Sequence, residues 1–223
     1  MSRDAATEPG PPGEHTITQV KPLERPRGYC AVYVDGDVAL RAPAKIVAGL
    51  GFRAGRVMRA DELRHAIATA QEEEALEAAL KVLTACDRTE AELRRHLGRR
   101  GFRQPIIATV LDRLREKGLI DDHRYAREYV RTQGARRGLG PAALRAKLDQ
   151  LGVASSLVDE ALAEEMTEER QQQIAEAVAA GRWRSLRGTP GDAARSRIYV
   201  FLVRRGFDYD LAAEVSEGLP ADE

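Results

Sequence analysis

Long apolar runs are missing from this sequence: nothing approaches the roughly 18 apolar residues that a membrane-spanning helix requires. Met1 to Gly13 holds no hydrophobic core of the kind a secretion signal needs, so the chain is expected in the cytoplasm. Cysteine is almost absent. Cys30 and Cys86 lie far apart without metal-ligand spacing, which excludes a disulfide scaffold and fits a reducing compartment. Four histidines (His15, His65, His96 and His123) are scattered without metal or triad spacing. A phosphate-binding loop is lacking too, because Gly188-Thr189-Pro190-Gly191 has neither the lysine nor the helix pattern that must follow it. Asp35 and Asp37 belong to turn chemistry, with no further ligands to make a metal site. No cofactor, no metal and no catalysis are therefore expected. Aromatics make up only 5% against 43% hydrophobic residues overall, so any core is built from Leu, Ala, Val and Ile.

Net charge is lacking as well, at zero, but the charges are segregated. Arg88 to Arg103 holds six arginines against Glu90 and Glu92, a local net of +4. Asp149 to Glu169 holds seven acids and no base, and Arg182 to Arg205 holds seven arginines against Asp192 alone. Asp208 to Glu223 adds six acids. Separated basic blocks of this kind matter more for partners than the total does.

Five of the ten prolines fall within the first 26 residues, alongside Gly10 and Gly13, and that composition reads as a disordered arm over 1–26. The strand-like text follows: Tyr29 to Val34, then Asp35-Gly36-Asp37, then Val38 to Leu40, a hairpin signal because glycine accepts the positive φ of the turn. A short helix over Pro43 to Leu50, closed by Gly51, and a long one over Ala60 to Leu83 complete an N-terminal extension assigned to 27–72.

Beyond it the text repeats. Leu97-x-x-x-Gly101, Leu148-x-x-x-Gly152 and Leu202-x-x-x-Gly206 align, each with an aliphatic four residues upstream (Leu93, Leu144, Ile198) and an apolar residue after the glycine (Phe102, Val153, Phe207). Arg99 to Phe102 and Arg204 to Phe207 are the same four letters. Each copy reads as a helix stopped at a left-handed glycine, with the next apolar residue folding back and a second helix packing on the first. Thr89 and Glu92 form a capping box, and Pro141 stands in a first-turn position. A leading helix precedes each pair: Ala75 to Ala85, Tyr125 to Thr132 and Ile174 to Ala180. The expected fold is all-α, an elongated, curved array of three-helix modules over 73–120, 121–164 and 165–219, with a small hairpin-containing extension.

Thr89-Glu90-Ala91-Glu92-Leu93-Arg94-Arg95-His96-Leu97, followed by Arg100-Gly101-Phe102, Val110 to Leu114 and Gly118-Leu119-Ile120-Asp121-Asp122, closely resembles the RecX family of bacterial regulators. The likeness continues through Arg124-Tyr125-Ala126, Gly140-Pro141, Gly152-Val153 and Glu160-Ala161-Leu162 to Arg204-Arg205-Gly206-Phe207, and so covers the chain from about Tyr29 onward. The resemblance implies docking on the RecA filament on single-stranded DNA and restraint of its strand exchange, ATP turnover and co-protease role. Two features depart from the family pattern: the proline-rich arm, and the Gly181 to Ala194 lead-in to the third unit.

Candidate filament or nucleic-acid contacts are Arg94, Arg95, Arg99, Arg100 and Arg103 in the first unit and Arg131, Arg136, Arg137, Arg145 and Lys147 in the second. Arg182, Arg184, Arg197, Arg204 and Arg205 are the candidates in the third. Arg95 and Arg99 sit two positions beyond core residues and point away from the core. Against this stands a solvated helix face held by Glu–Arg pairs of about 0.3 kcal/mol each. Arg136-Arg137 beside Gly138 and Gly140 reads as a basic inter-unit loop or a plain linker, and Trp183 as packing more than as a stacking platform. The expected partners are the RecA filament and single-stranded DNA, the latter weakly and in a salt-sensitive way, with the protein monomeric and no membrane involved. The alternative reading is a helix-turn-helix transcription regulator, whose β-wing would have to follow Asp122, where a helix pattern stands instead.

Overall fold

The computed structural model describes residues 13–186 and 189–219. These fall into two compact units, one made of residues up to Cys86 with Leu93–Lys117, the other of Asp87–Glu92 with Gly118 onward.

The first unit opens with β1 (Glu14–Pro22), β2 (Tyr29–Val34), β3 (Asp37–Pro43), α1 (Ala44–Gly49) and β4 (Val57–Arg59). The strands form one antiparallel sheet in the order β3-β2-β1-β4. The β2–β3 hairpin turns through Asp35 and Gly36 at φ 51° and 97°, the two positive values that a tight primed turn demands. β1 corrects the expectation of a disordered arm over 1–26. Ile17 in β1 is fully buried, which stabilises by roughly 1.5–3 kcal/mol, and Thr16, Thr18 and Val20 supply the β-branched text of a strand. The arm's first twelve residues lie outside the described ones. The sheet's core comprises Ile17, Val32, Leu40, Ala42, Val47, Phe52 and Met58, together with Leu63 and Ala70 of α2 (Ala60–Leu83).

α2 is one uninterrupted helix with the bounds that the sequence predicts, and it runs through the boundary expected between residues 72 and 73. Leu63 and Ala70 pack on the sheet, whereas Ala75, Ala78 and Ala79 are buried further along, where α2 packs against α4 (Gln104–Glu116). Arg113 of α4 pairs with Glu73 of α2 at 3.5 Å. α3 (Glu90–Arg99) completes the repeat with Leu93 and Leu97, both fully buried.

The second unit carries α5 (Asp122–Arg137), α6 (Pro141–Leu151), α7 (Ser155–Glu165), α8 (Glu168–Arg184), α9 (Gly191–Arg204) and α10 (Tyr209–Glu217). Leu144, Leu148, Val158 and Ala161 centre one core, Ile198, Leu202, Phe207 and Ala212 the next, and Ile174 packs against both. Trp183 packs against the latter core. Asp121 caps α5 by accepting from the Arg124 amide at 2.9 Å, so a helix stands where a winged helix would place a strand.

All three repeats share one device. Gly101, Gly152 and Gly206 adopt φ of 89°, 86° and 88°. The amides of Phe102, Val153 and Phe207 then donate to the carbonyls of Leu97, Leu148 and Leu202 at 3.3, 3.1 and 3.2 Å. This is the 6→1 bond of a Schellman stop, and its acceptor is each time the buried leucine itself. Helix end and core position are thereby fixed together. The Thr89–Glu92 capping box forms as expected: the Glu92 amide donates to Thr89 Oγ1 at 3.1 Å, and the Thr89 amide to Glu92 Oε2 at 3.2 Å.

The second and third repeats interlock through backbone. The Gly140 amide donates to the Arg205 carbonyl at 2.8 Å and the Ala142 amide to the Gly206 carbonyl at 3.1 Å. A Cβ on Gly140 would stand 2.4 Å from Gly206 backbone atoms. Only glycine lets the two segments approach so closely.

Candidate functional site

The candidate basic residues separate by what holds them. Arg94 is half-buried and Arg95 exposed, and neither is free of interactions. Arg99, in the last turn of α3, is exposed and makes no side-chain pairing among the described residues, and the same holds for Arg103, the N-cap residue of α4. Arg100 lies between them and interacts with the Tyr29 hydroxyl.

In the second unit the middle-repeat cations are mostly matched. Arg131 pairs with Glu128, Arg145 with Asp159, and Lys147 donates to Gln150 at 3.3 Å. Arg136 and Arg137 occupy the last turn of α5, closed by Gly138 at φ 60°, which corrects the expectation of a basic loop there. Both side chains are exposed without a partner among the described residues. In the third repeat Arg182 lies 5.9 Å from the centre of the Phe201 ring, and Arg184 Nε donates to the Ala180 carbonyl at 3.4 Å. Arg197 and Arg204 are exposed and unpaired among the described residues.

Arg205 behaves differently from its sequence counterpart Arg100. It is half-buried, stacks 4.8 Å above Phe201, and donates to the Arg137 carbonyl and, at 3.4 Å, to that of Gly138. Its guanidinium thus closes the C-terminal end of α5, where helix carbonyls lack partners and a cation meets the negative end of the dipole. Arg205, a candidate contact residue by sequence, is thus a clamp between the second and third repeats.

Two concave sites escape sequence reasoning. One, of about 410 Å³, lies in the first unit and is lined by Arg41, Gln71, Glu74, Arg100, Phe102 and Arg103 among others. Tyr29 donates from its hydroxyl to Glu74 Oε1 at 2.9 Å. Burial and the Glu74 carboxylate push the Tyr29 hydroxyl above its ordinary range, while nearby Arg100 opposes them. The other, of about 300 Å³, lies in the second unit between Asp87, Arg88, Leu119, Asp121, Tyr125 and Tyr129, whose two tyrosine rings stack at 6.1 Å. The repeats alone cannot reveal the first site, because Arg41 comes from β3. Its only sequence signal is a charged residue alternating with Leu40 and Ala42 on a strand. Among the described residues no group of three His, Cys, Asp or Glu is placed to hold a metal ion, and no helix is long and apolar enough to cross a membrane.

Comparison with known proteins gives this arrangement a class. Profiles described as the first, second and third three-helix domains of RecX match residues 75–114, 121–162 and 168–215. A regulatory protein RecX of Geobacillus kaustophilus (strain HTA426) is 31% identical over 204 residues, 90% of this chain and 76% of that one. That of Mycolicibacterium smegmatis is 36% identical over 149 residues, 65% of this chain and 79% of its own length. Among solved structures, a crystal structure of regulatory protein RecX superposes with a TM-score of 0.66 at 25% identity, covering 91% of this chain and 99% of that one. RecX from Lactobacillus salivarius shares the fold at a TM-score of 0.63, with 67% of this chain and 96% of that one covered. The class is a regulatory protein built of three-helix repeats. The chain belongs to the RecX family.

Proposed function

We propose that this chain regulates the RecA recombinase, mainly as an inhibitor, by binding the RecA–single-stranded DNA filament in the cytoplasm as a monomer. Family membership supports the partner. The observation that carries the mode of binding is the equivalence of Arg99 and Arg204. Each stands in the last turn of its repeat's middle helix, ahead of the stop glycine, exposed and unpaired among the described residues. Two such tips, in the first and third repeats, provide separate weak contacts whose linkage raises the effective concentration of each. The middle repeat, with its cations mostly matched, supplies no such tip.

Docked along the filament, the repeats restrain the protomer motions that ATP turnover, strand exchange and co-protease action need. The test is the single-stranded-DNA-dependent ATPase of the cognate recombinase, titrated with this protein. Strong suppression well below one molecule per protomer is expected. Unchanged turnover together with no co-sedimentation would overturn the proposal.

A further inference from the structure

We propose that the cleft between the N-terminal sheet and the first repeat is a single-stranded DNA site, in which Arg41, Arg100 and Arg103 hold the phosphodiester and Phe102 carries a base.

The cleft is assembled by three local devices. On β3, Leu40 and Ala42 are buried and Arg41, between them, is exposed, so strand alternation directs its side chain away from the core. The Schellman stop at Gly101 brings Phe102 back against the end of α3 and leaves Arg100 and Arg103 on either side of it. α2 supplies the wall with Gln71 and Glu74.

The chemistry of the lining selects the ligand. Glu74 is the one carboxylate among the lining residues, and it already accepts from Tyr29, with Arg100 beside that pair. Arg41 and Arg103 have no side-chain partner among the described residues. Unmatched guanidiniums present planar forks that suit phosphate oxygens. Gln71 keeps its side-chain oxygen buried without a hydrogen-bond partner. Such an amide can flip to offer either donor or acceptor, and a base edge or sugar presents both. An acidic peptide would satisfy the arginines, and its backbone could meet the Gln71 amide, but it would leave the ring of Phe102 unused. The volume, about 410 Å³, matches a small-ligand cleft and admits an unstacked nucleotide, not a base pair held in a duplex. Cations that follow the backbone beside an aromatic stacking platform are the general solution for single strands.

This inference takes the class of its ligand from the function proposed above, but its test needs no recombinase. The full chain is titrated into fluorescein-labelled oligothymidylate, with anisotropy read at several salt concentrations. Arg41→Ala and Arg103→Ala are each expected to weaken binding about three- to tenfold and to lower the salt slope by about 0.7. Phe102→Leu should weaken binding about fivefold or more with the slope unchanged. Arg41→Lys keeps the charge and should retain the slope, and Arg64→Ala, exposed on α2 and outside the cleft, should bind like the unaltered chain. An Arg41→Ala affinity and slope equal to those of the unaltered chain would overturn the site, as would displacement of the DNA by polyglutamate of equal charge. Continued suppression of the filament ATPase in that case would leave the filament reading standing and remove the cleft alone.

Discussion

The amide of Gly140 meets the carbonyl of Arg205 at 2.8 Å, so the loop entering α6 and the end of α9 are bonded backbone to backbone. The stop glycine beside Arg205 therefore has two duties where its counterpart in the first repeat has one. Gly101 and Gly206 share nearly the same φ, 89° and 88°, yet a Cβ on Gly101 meets nothing within 4 Å, whereas on Gly206 it would stand 2.3 Å from the Ala143 nitrogen. Gly101→Ala should cost only the left-handed strain, about 1–2 kcal/mol. Gly206→Ala should cost that plus about 1–3 kcal/mol of overpacking against backbone. Urea unfolding of the two variants decides the matter. Equal midpoints would mean that the interlock contributes nothing.

Arg205 offers a second comparison. Arg205→Ala removes donors to the Arg137 and Gly138 carbonyls together with the stack on Phe201, and should lose about 1–3 kcal/mol. Arg205→Lys should recover only part of that, since an ammonium lacks the planar fork. Arg204→Ala, exposed, should stay within about 0.5 kcal/mol of the unaltered chain. Thermal unfolding of the three gives the order, and an Arg204→Ala loss matching that of Arg205→Ala would refute the clamp.

These two residues also mark how far the sequence is legible. The repeat, its stop glycines and its core leucines can be read directly, because Schellman geometry demands glycine and an apolar neighbour at fixed offsets. Arg99-Arg100 and Arg204-Arg205 are identical text, yet Arg205 is a clamp and Arg100 lines a cleft, since each role depends on what a distant segment places opposite. β1 escapes for another reason. Its β-branched text over Thr16 to Val20 lies among prolines, and the composition outweighs that local propensity. Ile17 is buried because β2 and β4 hold β1 in the sheet and Val47, Leu63 and Ala70 of the helices share its core, which local text does not reveal.

Thr89 is fully buried, and its hydroxyl works twice, accepting from the Glu92 amide at 3.1 Å and donating to the Leu151 carbonyl at 2.8 Å. Thr89→Val keeps the volume and removes both bonds, leaving buried backbone groups short of partners. A loss of about 1–3 kcal/mol is expected, with Thr89→Ser much milder. Guanidinium denaturation measures it; near-identity of the valine variant would show that neither bond matters.

Asp35 accepts from His15 at 2.6 Å and from the Thr16 amide at 2.8 Å, contacts that hold its carboxyl below its ordinary value of 3.8. A carboxyl lowered in the folded state stabilises above its unfolded pKa, and that contribution is lost as pH falls through the folded value. The thermal midpoint of the unaltered chain should therefore drop more steeply below about pH 4 than that of Asp35→Asn, a residue that tolerates the turn's positive φ. Both sides of the pair are partly exposed, so the difference should be small and should shrink in high salt. Parallel acid limbs for the two proteins would show that the contact carries no pH dependence.

Charge reversal at the repeat tips tests the mode of filament binding. Arg99→Glu and Arg204→Glu change exposed, unpaired residues and should leave the thermal midpoint unmoved, which separates them from Arg205. If the two tips are linked weak contacts, each single change should raise the concentration needed for half-suppression of the recombinase ATPase several-fold. The double change should then raise it by about the product, since sites this independent add in free energy. Arg145→Glu supplies the contrast: it lies in the middle repeat, paired with Asp159, and loses a local ion pair but no proposed contact. Suppression that survives the double reversal, or falls equally with Arg145→Glu, would move the contact away from the tips and make nonspecific charge the cause.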